Sequence, residues 1–186
     1  GGGTNNAVGF ARLGLKTGFI GIVGTDNNGY SVISDLKKEG VDFLGVMKEG
    51  KTGYSVILTG KKDRTILAYK GVNNNPKEKD LNLRGTKAKW IYASTMMGDS
   101  LKASQEIMSK FKRAKTKIGI NISLYLAKLG IKKIEKIVAL ADVIILNLEE
   151  AETLTEKKHV EEMFHFFSSY TKAKIVITNG PYTIYA

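Results

Sequence analysis

The architecture is most clearly indicated by residues 143–154, Val143-Ile144-Ile145-Leu146-Asn147-Leu148-Glu149-Glu150-Ala151-Glu152-Thr153-Leu154. Its first four residues form a continuous apolar run, which predicts a buried strand, and residues 149–154 predict helical turns directly afterwards. The polar Asn147 stands where the strand ends. A buried strand that runs straight into a helix is typical of a parallel sheet that helices cover on both faces.

The same alternation recurs along the chain, so an α/β protein is the expected fold class. Strands are predicted at residues 17–23, 90–93, 117–120, 174–178 and 183–185, and helices at residues 30–39, 101–112, 131–140 and 160–170. One segment departs from this order. Residues 52–59 and 65–71 alternate like a half-buried antiparallel hairpin, joined by Gly60-Lys61-Lys62-Asp63. Three interpretations stay open: a flap over an active site, an oligomer edge, and a plain extension of the sheet.

Composition limits the possible function classes. The chain has 186 residues, of which 42% are hydrophobic, and this is enough to bury the core of one domain. No run approaches the roughly 18 apolar residues of a membrane span. The absence of cysteine excludes a disulfide scaffold and thiolate metal sites. A cytoplasmic protein without a membrane partner is therefore expected.

The strongly basic charge raises the question of a nucleic-acid partner. The net charge is +11, but only four of the 29 basic residues are arginines. Lysine is the weaker choice for bidentate recognition of bases and phosphates. Because the lysines are spread along the sequence, they are interpreted as solvated helix faces and loops, and no nucleic-acid partner is expected.

Polar residues end four of the predicted strands, directly after an apolar run: Ser94 with Thr95, Asn121, Asn147 and Thr178. Ligands of open parallel sheets bind beyond the carboxyl ends of the strands. These side chains are therefore expected along one edge of the sheet, in a crevice suited to hydroxylated or phosphorylated ligands. Asn147 and Glu150 allow two interpretations from the residues alone. They offer hard oxygen ligands for Mg²⁺ or its waters, or they form a helix N-cap with a favourably placed acid.

The chain opens with Gly1-Gly2-Gly3-Thr4-Asn5-Asn6-Ala7-Val8-Gly9-Phe10-Ala11-Arg12-Leu13-Gly14. A glycine run that leads into a helix of small residues is how a backbone lets a polar ligand approach closely. This segment therefore predicts part of a small-molecule site.

Taken in order, these motifs resemble the ribokinase-like (PfkB) carbohydrate kinases. Residues 1–14 are similar to the family's N-terminal signature, and residues 147–152 look like its Asn-x-x-Glu motif. Thr52-Gly53 and Gly71-Val72-Asn73 resemble the start and end of its lid, and Ile177-Thr178-Asn179-Gly180 resembles its nucleotide loop. The resemblance implies a ribokinase-like three-layer sandwich with a mainly parallel central sheet, covering residues 1–186 as a partial kinase domain. It also implies a small β-hairpin lid at about residues 52–73.

The resemblance further implies ATP- and Mg²⁺-dependent phosphorylation of a hydroxyl on a sugar or a related polyol or sugar acid. The residues expected to bind the substrate are Gly1, Gly2, Gly3, Thr4, Asn5, Ser55 and Asn121, and Thr95 and Met96 are expected to line the pocket. The residues expected to bind the nucleotide are Asn147, Glu150, Thr178, Asn179 and Gly180. Asn147 and Glu150 are also expected to hold the metal, directly or through water. A homodimer through the lid hairpin is the expected assembly.

Two parts of the family pattern do not occur among the 186 residues. One is the family's first strand, and the other is its Gly-Ala-Gly-Asp region, whose Asp is the catalytic base and whose backbone forms an anion hole. The base is therefore expected beyond Ala186, and the 186 residues by themselves are expected to be inactive. Other functions stay open: a nucleoside or sugar-phosphate kinase of the same family, a non-catalytic module that binds a sugar or nucleotide, and a basic nucleic-acid binder.

Overall fold

A computed structural model describes residues 2–60, 64–74, 81, 83, 85–94 and 98–186. Gly1, the predicted hairpin turn at Lys61-Lys62-Asp63, and Thr95 with Met96 lie outside the described residues. The chain divides into two compact units, residues 1–85 with 98–100, and residues 86–97 with 101–186. Each unit is described by itself, and the predicted single kinase domain over residues 1–186 stays a prediction. None of the described helices is long and apolar enough to cross a membrane.

The first unit combines two helices with short paired strands. In chain order its elements are α1 (Gly2–Arg12), β1 (Thr17–Phe19), β2 (Ile22–Gly24), α2 (Asn27–Lys38), β3 (Val41–Phe43), β4 (Val46–Lys48), β5 (Tyr54–Thr59), β6 (Arg64–Tyr69) and a 3-10 helix (Gly71–Asn74). β1 runs parallel to β3, β2 runs parallel to β4, and β5 with β6 forms the antiparallel hairpin that the sequence predicts.

The strand predicted at residues 17–23 is two strands. They are separated at residues 20–21, because β1 pairs with β3 whereas β2 pairs with β4. The backbone bridges this change of partner through Leu44 N–H, which donates to Phe19 O, and Val46 N–H, which donates to Gly21 O. The apolar run of the sequence shows that this segment is extended, but not where it changes partner.

The opening glycine run lies within a helix. α1 begins at Gly2, so Gly2 and Gly3 form its first turn and not a loop before it. Glycine is a poor helix former, and at Gly3 the space for a side chain is limited. A Cβ on Gly3 would lie 3.1 Å from the ring of Phe19 on β1. The helix is buried through Ala7, which packs in a small core with Leu36 and Val41.

The β5–β6 hairpin is exposed on both faces, although its alternation predicts that one face is buried. Every residue of β5 is exposed, as are residues 65–69 of β6. Its large apolar side chains keep about half of their surface in water, for example 55% for Ile57 and for Leu67. At its base the rings of Tyr54 and Tyr69 pair with centroids 5.3 Å apart.

The second unit contains the main sheet. In chain order its elements are β7 (Trp90–Ala93), α3 (Asp99–Arg113), β8 (Lys117–Asn121), α4 (Leu124–Leu129), α5 (Ile131–Leu140), β9 (Val143–Asn147), α6 (Leu148–Thr155), α7 (Val160–Ser168), β10 (Lys174–Thr178) and β11 (Ile184–Tyr185). The strand order is β11-β10-β9-β8-β7. β7 to β10 are parallel, and the short β11 pairs antiparallel with β10 at the edge.

The core of this unit lies on one face of the sheet. Alternate strand residues point into it, including Ile118 and Ile120 on β8 and Ile144 and Leu146 on β9, all fully buried. Side chains from each of the helices α3 to α7 belong to the same cluster. Strands that follow one another in a single direction place their right-handed crossovers on the same face, which is why these five helices share it.

Candidate functional site

The predicted polar edge exists in the second unit. Thr178, at the end of β10, is the register partner of Asn147, at the end of β9, so the two residues are direct neighbours across the sheet. On β8, Asn121 pairs with Ile145, and on β7 Ala93 pairs with Ile120, one residue before Ser94. The structure therefore brings the strand-end polar residues to one carboxyl edge, where parallel sheets bind ligands.

Asn147 and Glu150 form a reciprocal cap at the start of α6. The Oδ1 of Asn147 accepts from Glu150 N–H at 2.8 Å, and Glu150 Oε2 accepts from Asn147 N–H at 2.8 Å. This capping box satisfies backbone donors that a helix N-terminus otherwise leaves unpaired. One of the two interpretations from sequence, the helix cap, is therefore present in the structure.

The cap leaves part of both side chains available. Glu150 Oε1 and the Asn147 amide nitrogen make no hydrogen bond within the described part of the chain. The described residues contain no cluster of three or more His, Cys, Asp or Glu side chains that could enclose a metal ion. Mg²⁺ in phosphate-binding sites characteristically keeps several waters and takes one or two carboxylates besides the phosphates. One free carboxylate oxygen at a helix N-terminus fits such a water-mediated site.

Asn121 and Ser123 extend the edge along β8. The Asn121 amide donates to Ile145 O at 3.1 Å, which fixes its side chain against β9. Ser123 stands just before α4 without capping it, and its Oγ is buried with no hydrogen-bond partner among the described residues. A buried hydroxyl without a partner is costly in a folded protein. The sequence analysis did not select Ser123, although its position two residues after a strand-ending Asn was a usable signal.

Tyr92 is a second neighbour of the edge that sequence reasoning did not select. It pairs with Gly119 across β7 and β8, and a Cβ on Gly119 would lie 3.1 Å from the Tyr92 ring. Burial raises the pKa of the Tyr92 phenol, and the negative charge of Glu150 raises it further. The phenol therefore lies close enough to Glu150 to sense its charge.

The predicted nucleotide loop follows Thr178 directly. Thr178 and Asn179 are half-buried and Gly180 is exposed. Gly180 has a φ of +53°, and Tyr182 N–H donates to Asn179 O at 2.9 Å, which closes a turn into β11. The turn places Asn179 and Gly180 next to Thr178 at the carboxyl end of β10.

The residues expected to bind substrate, apart from Asn121, lie in the first unit. Gly2, Gly3, Thr4 and Asn5 form the first turns of α1, whereas Ser55 lies on β5. Asn5 and Ser55 are both exposed, and none of the hydrogen bonds among the described residues joins them. Gly2 and Gly3 stand in the first turn of α1, where a helix does not supply partners for backbone N–H groups.

A family model described as pfkB family carbohydrate kinase matches residues 1–185. A protein from Archaeoglobus fulgidus described as an uncharacterized sugar kinase is 28% identical over 154 residues, which cover 79% of this chain and 60% of that protein.

Two solved structures share the fold. The adenosine kinase from Sinorhizobium meliloti has a TM-score of 0.85 at 18% identity, over 97% of this chain and 58% of that chain. The fructokinase from Vibrio cholerae O395, solved with fructose, ADP and calcium ion bound, has a TM-score of 0.82 at 21% identity, over 97% and 63%. The expected α/β ribokinase-like class is confirmed. The chain spans about 60% of the length of these relatives.

Proposed function

The chain belongs to the pfkB family of carbohydrate kinases, and from this premise we propose that the whole protein transfers the γ-phosphate of ATP to a hydroxyl of a sugar or a related polyol or sugar acid. The curated relative that is named a sugar kinase supports this class of acceptor. The similarity to fructokinase and adenosine kinase structures is a similarity of fold. A cytoplasmic protein with a small-molecule substrate and no membrane or nucleic-acid partner is part of the proposal.

The observation that carries the proposal is the carboxyl edge formed by Thr178, Asn147 and Glu150. Phosphoryl transfer depends on positioning and on neutralising the charge of the phosphates. Glu150 Oε1 is suited to hold a water of Mg²⁺ and Asn147 Nδ2 to donate to a phosphate oxygen. Thr178, Asn179 and Gly180 follow the neighbouring strand and would contact the nucleotide. When bound, Mg²⁺ would offset the negative charge of the transferred group.

For the acceptor, we propose two groups of residues, each within its own unit: the first turn of α1 in the first unit, and Asn121 at the end of β8 in the second. The backbone of Gly1, Gly2 and Gly3 and the side chains of Thr4 and Asn5 would bind hydroxyl groups. The β5–β6 hairpin would cover the acceptor with Ser55 on its inner face and exclude water, since water competes with the acceptor for the phosphoryl group.

A matched pair of substitutions separates the cap from the nucleotide site. Serine caps helices about as well as asparagine, whereas alanine costs about 1 kcal/mol. Asn147→Ser should therefore keep the stability of the protein, lose the amide donor and weaken binding of Mg·ATP, measured by calorimetry on the full-length protein. Asn147→Ala should lower both the stability of the protein and its affinity for Mg·ATP. Unchanged Mg·ATP affinity in Asn147→Ser would remove Asn147 from the site.

An acceptor panel tests the reaction itself. The full-length protein is incubated with Mg·ATP and, separately, with sugars, polyols, sugar acids, sugar phosphates and nucleosides, and ADP release is measured. Turnover with a sugar, polyol or sugar acid supports the proposal. Turnover with a nucleoside or a sugar phosphate establishes the alternative within the family, and binding without turnover establishes a non-catalytic module. Residues 1–186 alone should show background turnover, because the Gly-Ala-Gly-Asp region that the family resemblance assigns to the base is not among them.

The hairpin also carries the proposed homodimer. Tyr54, Val56 and Leu58 lie on one face of β5 and Ser55 and Ile57 on the other, because strand residues alternate. If the face with Ser55 covers the acceptor, the opposite face needs another partner, and a second copy of the hairpin is the proposed one. Val56→Lys should lower the association state in analytical ultracentrifugation, whereas Lys172→Glu, a change at an exposed residue of the second unit, should not.

A further inference from the structure

The base of the β5–β6 hairpin is built around one carboxylate, Asp26. Asp26 caps α2 by accepting from Gly29 N–H at 3.0 Å through Oδ1. The same oxygen accepts from Thr52 Oγ1 at 2.5 Å, and Oδ2 accepts from Thr52 N–H at 3.1 Å. Thr52 lies two residues before the start of β5 and is only 4% exposed.

Thr52 also forms a hydrogen bond with the end of β2. Its hydroxyl donates to Asp26 and accepts from Gly24 N–H at 2.8 Å. One threonine therefore joins the end of β2, the start of α2 and the segment just before β5, which is called here the first root of the hairpin; the second root is the segment at residues 70–73, just after β6. A hydroxyl can do both, because its oxygen carries one donor hydrogen and two acceptor lone pairs.

The second root of the hairpin is joined to the first. Val72 N–H donates to Lys51 O at 3.0 Å, and Asn73 N–H donates to Lys70 O at 3.0 Å. Gly71, with a φ of +52°, makes this approach feasible, because a Cβ there would lie 2.1 Å from Lys51 O. Both roots are thus fixed, while the strands beyond them are exposed on both faces.

We propose that Asp26 is a positioning residue for the acceptor site: through Thr52 it anchors the hairpin, so that the hairpin opens and closes about a fixed base. The role in catalysis rests on the proposed function, in which the hairpin covers the acceptor. The anchoring itself does not, because it follows from the hydrogen bonds of the first unit. Asp26 touches neither substrate nor nucleotide in this proposal.

Amide hydrogen exchange on the full-length protein without ligands tests the anchor. Thr52→Val has nearly the same shape as threonine but loses the hydroxyl, and Thr52→Ser keeps the hydroxyl. Asp26→Asn keeps one acceptor oxygen and places an NH₂ group against a donor. Because hydrogen bonds to charged groups are among the stronger ones, Thr52→Val and Asp26→Asn should speed exchange in residues 54–59 and 64–69 roughly tenfold or more, whereas Thr52→Ser should resemble the wild type.

A control variant separates anchoring from general loss of stability. Leu36→Ala removes a buried side chain of the small core in the same unit without touching the hairpin. If Leu36→Ala, compared at equal free energy of unfolding, speeds exchange in the hairpin as much as Thr52→Val does, the anchor is refuted. Equal exchange in Thr52→Val and Thr52→Ser would refute it as well.

Kinetics test the catalytic role. On an acceptor that is turned over, Thr52→Val and Asp26→Asn should each raise the KM for the acceptor about tenfold and leave the KM for ATP unchanged. Thr52→Ser, which keeps the hydroxyl, should keep the wild-type KM values. An equal rise in both KM values would refute positioning. A wild-type protein without turnover on any acceptor would refute the proposed function and the role of Asp26 in catalysis. The exchange measurements would still show whether Asp26 and Thr52 anchor the hairpin.

Discussion

The two ends of the main sheet carry similar polar side chains but use them differently. At the amino end, Asp142 accepts from Ile118 N–H at 2.8 Å, from Lys112 Nζ at 2.6 Å and from Lys117 Nζ at 3.0 Å. Its backbone N–H also donates to Ile118 O at 2.7 Å. At the carboxyl end, Glu150 keeps a free oxygen and Ser123 Oγ has no partner among the described residues.

This difference distinguishes a structural polar group from one that is available to a ligand. A carboxylate with three donors has little capacity left for anything else, however charged its surroundings are. A buried polar atom without a partner, such as Ser123 Oγ, is destabilising, whereas the free oxygen of the half-buried Glu150 remains available to water or to a ligand. Substitutions at the carboxyl end should therefore change mainly the affinity for ligands. Substitutions at the amino end should change mainly the free energy of unfolding.

Of the changes proposed at the two ends of the sheet, the removal of the Asp142 carboxylate should have the largest effect on the free energy of unfolding. Asp142→Ala leaves Ile118 N–H, on a residue with no exposed surface, without its acceptor and leaves two lysines unpaired. The expected loss is about 2–3 kcal/mol in the free energy of unfolding, measured by urea denaturation. Binding of Mg·ATP should not change, since Asp142 lies at the opposite end of the sheet. A loss of affinity without a loss of stability would reverse the comparison of the two ends.

The strand–helix repeat of the second unit could be predicted from sequence because its buried strands are continuous apolar runs. The predicted ranges for β7, β10 and α5 agree with the structure residue for residue. α4 was not predicted, since six residues are too few to show a helical period. The short strands β3 and β4 were missed for the same reason: three residues give no alternation.

The site could be predicted as a set of positions but not as a set of contacts. The rule that ligands bind at the carboxyl ends of parallel strands was enough to bring Asn121, Asn147 and Thr178 together. Nothing in the sequence shows that Asn121 donates to Ile145 O or that the hydroxyl of Ser123 is buried. Those facts depend on how side chains turn at the ends of β8 and β9.

Low pH should also lower the free energy of unfolding through Asp142, but by less than Asp142→Ala does. Burial alone would raise the pKa of Asp142, but the hydrogen bonds from Lys112 Nζ, Ile118 N–H and Lys117 Nζ lower it to about 2. A carboxyl whose pKa is depressed in the folded state stabilises that state above its unfolded pKa of about 4 and loses this contribution as the pH falls toward 2. Since Lys117 is 60% exposed, solvent screening limits the loss to about 1–2 kcal/mol.

The pH dependence can be isolated with one variant. Asp142→Asn keeps an acceptor for Ile118 N–H but does not titrate. The difference in unfolding free energy between wild type and Asp142→Asn should shrink as the pH is lowered from 6 to 3, measured by urea denaturation at each pH. A constant difference would mean that the lysine pairs contribute no charge-dependent stability.

Of the changes proposed at the two ends of the sheet, Ser123→Ala should have the smallest effect on the free energy of unfolding. Because the Ser123 Oγ has no partner among the described residues, removing it forfeits no hydrogen bond there, and the unfolding free energy should stay within about 0.5 kcal/mol or rise slightly. If the hydroxyl is kept for a ligand, Ser123→Ala should nevertheless lower the affinity for acceptor or nucleotide in calorimetry. Asp142→Ala should do the reverse. A clear loss of stability in Ser123→Ala with unchanged affinity would mean that this hydroxyl serves the fold, and that the two ends of the sheet do not differ in the way proposed.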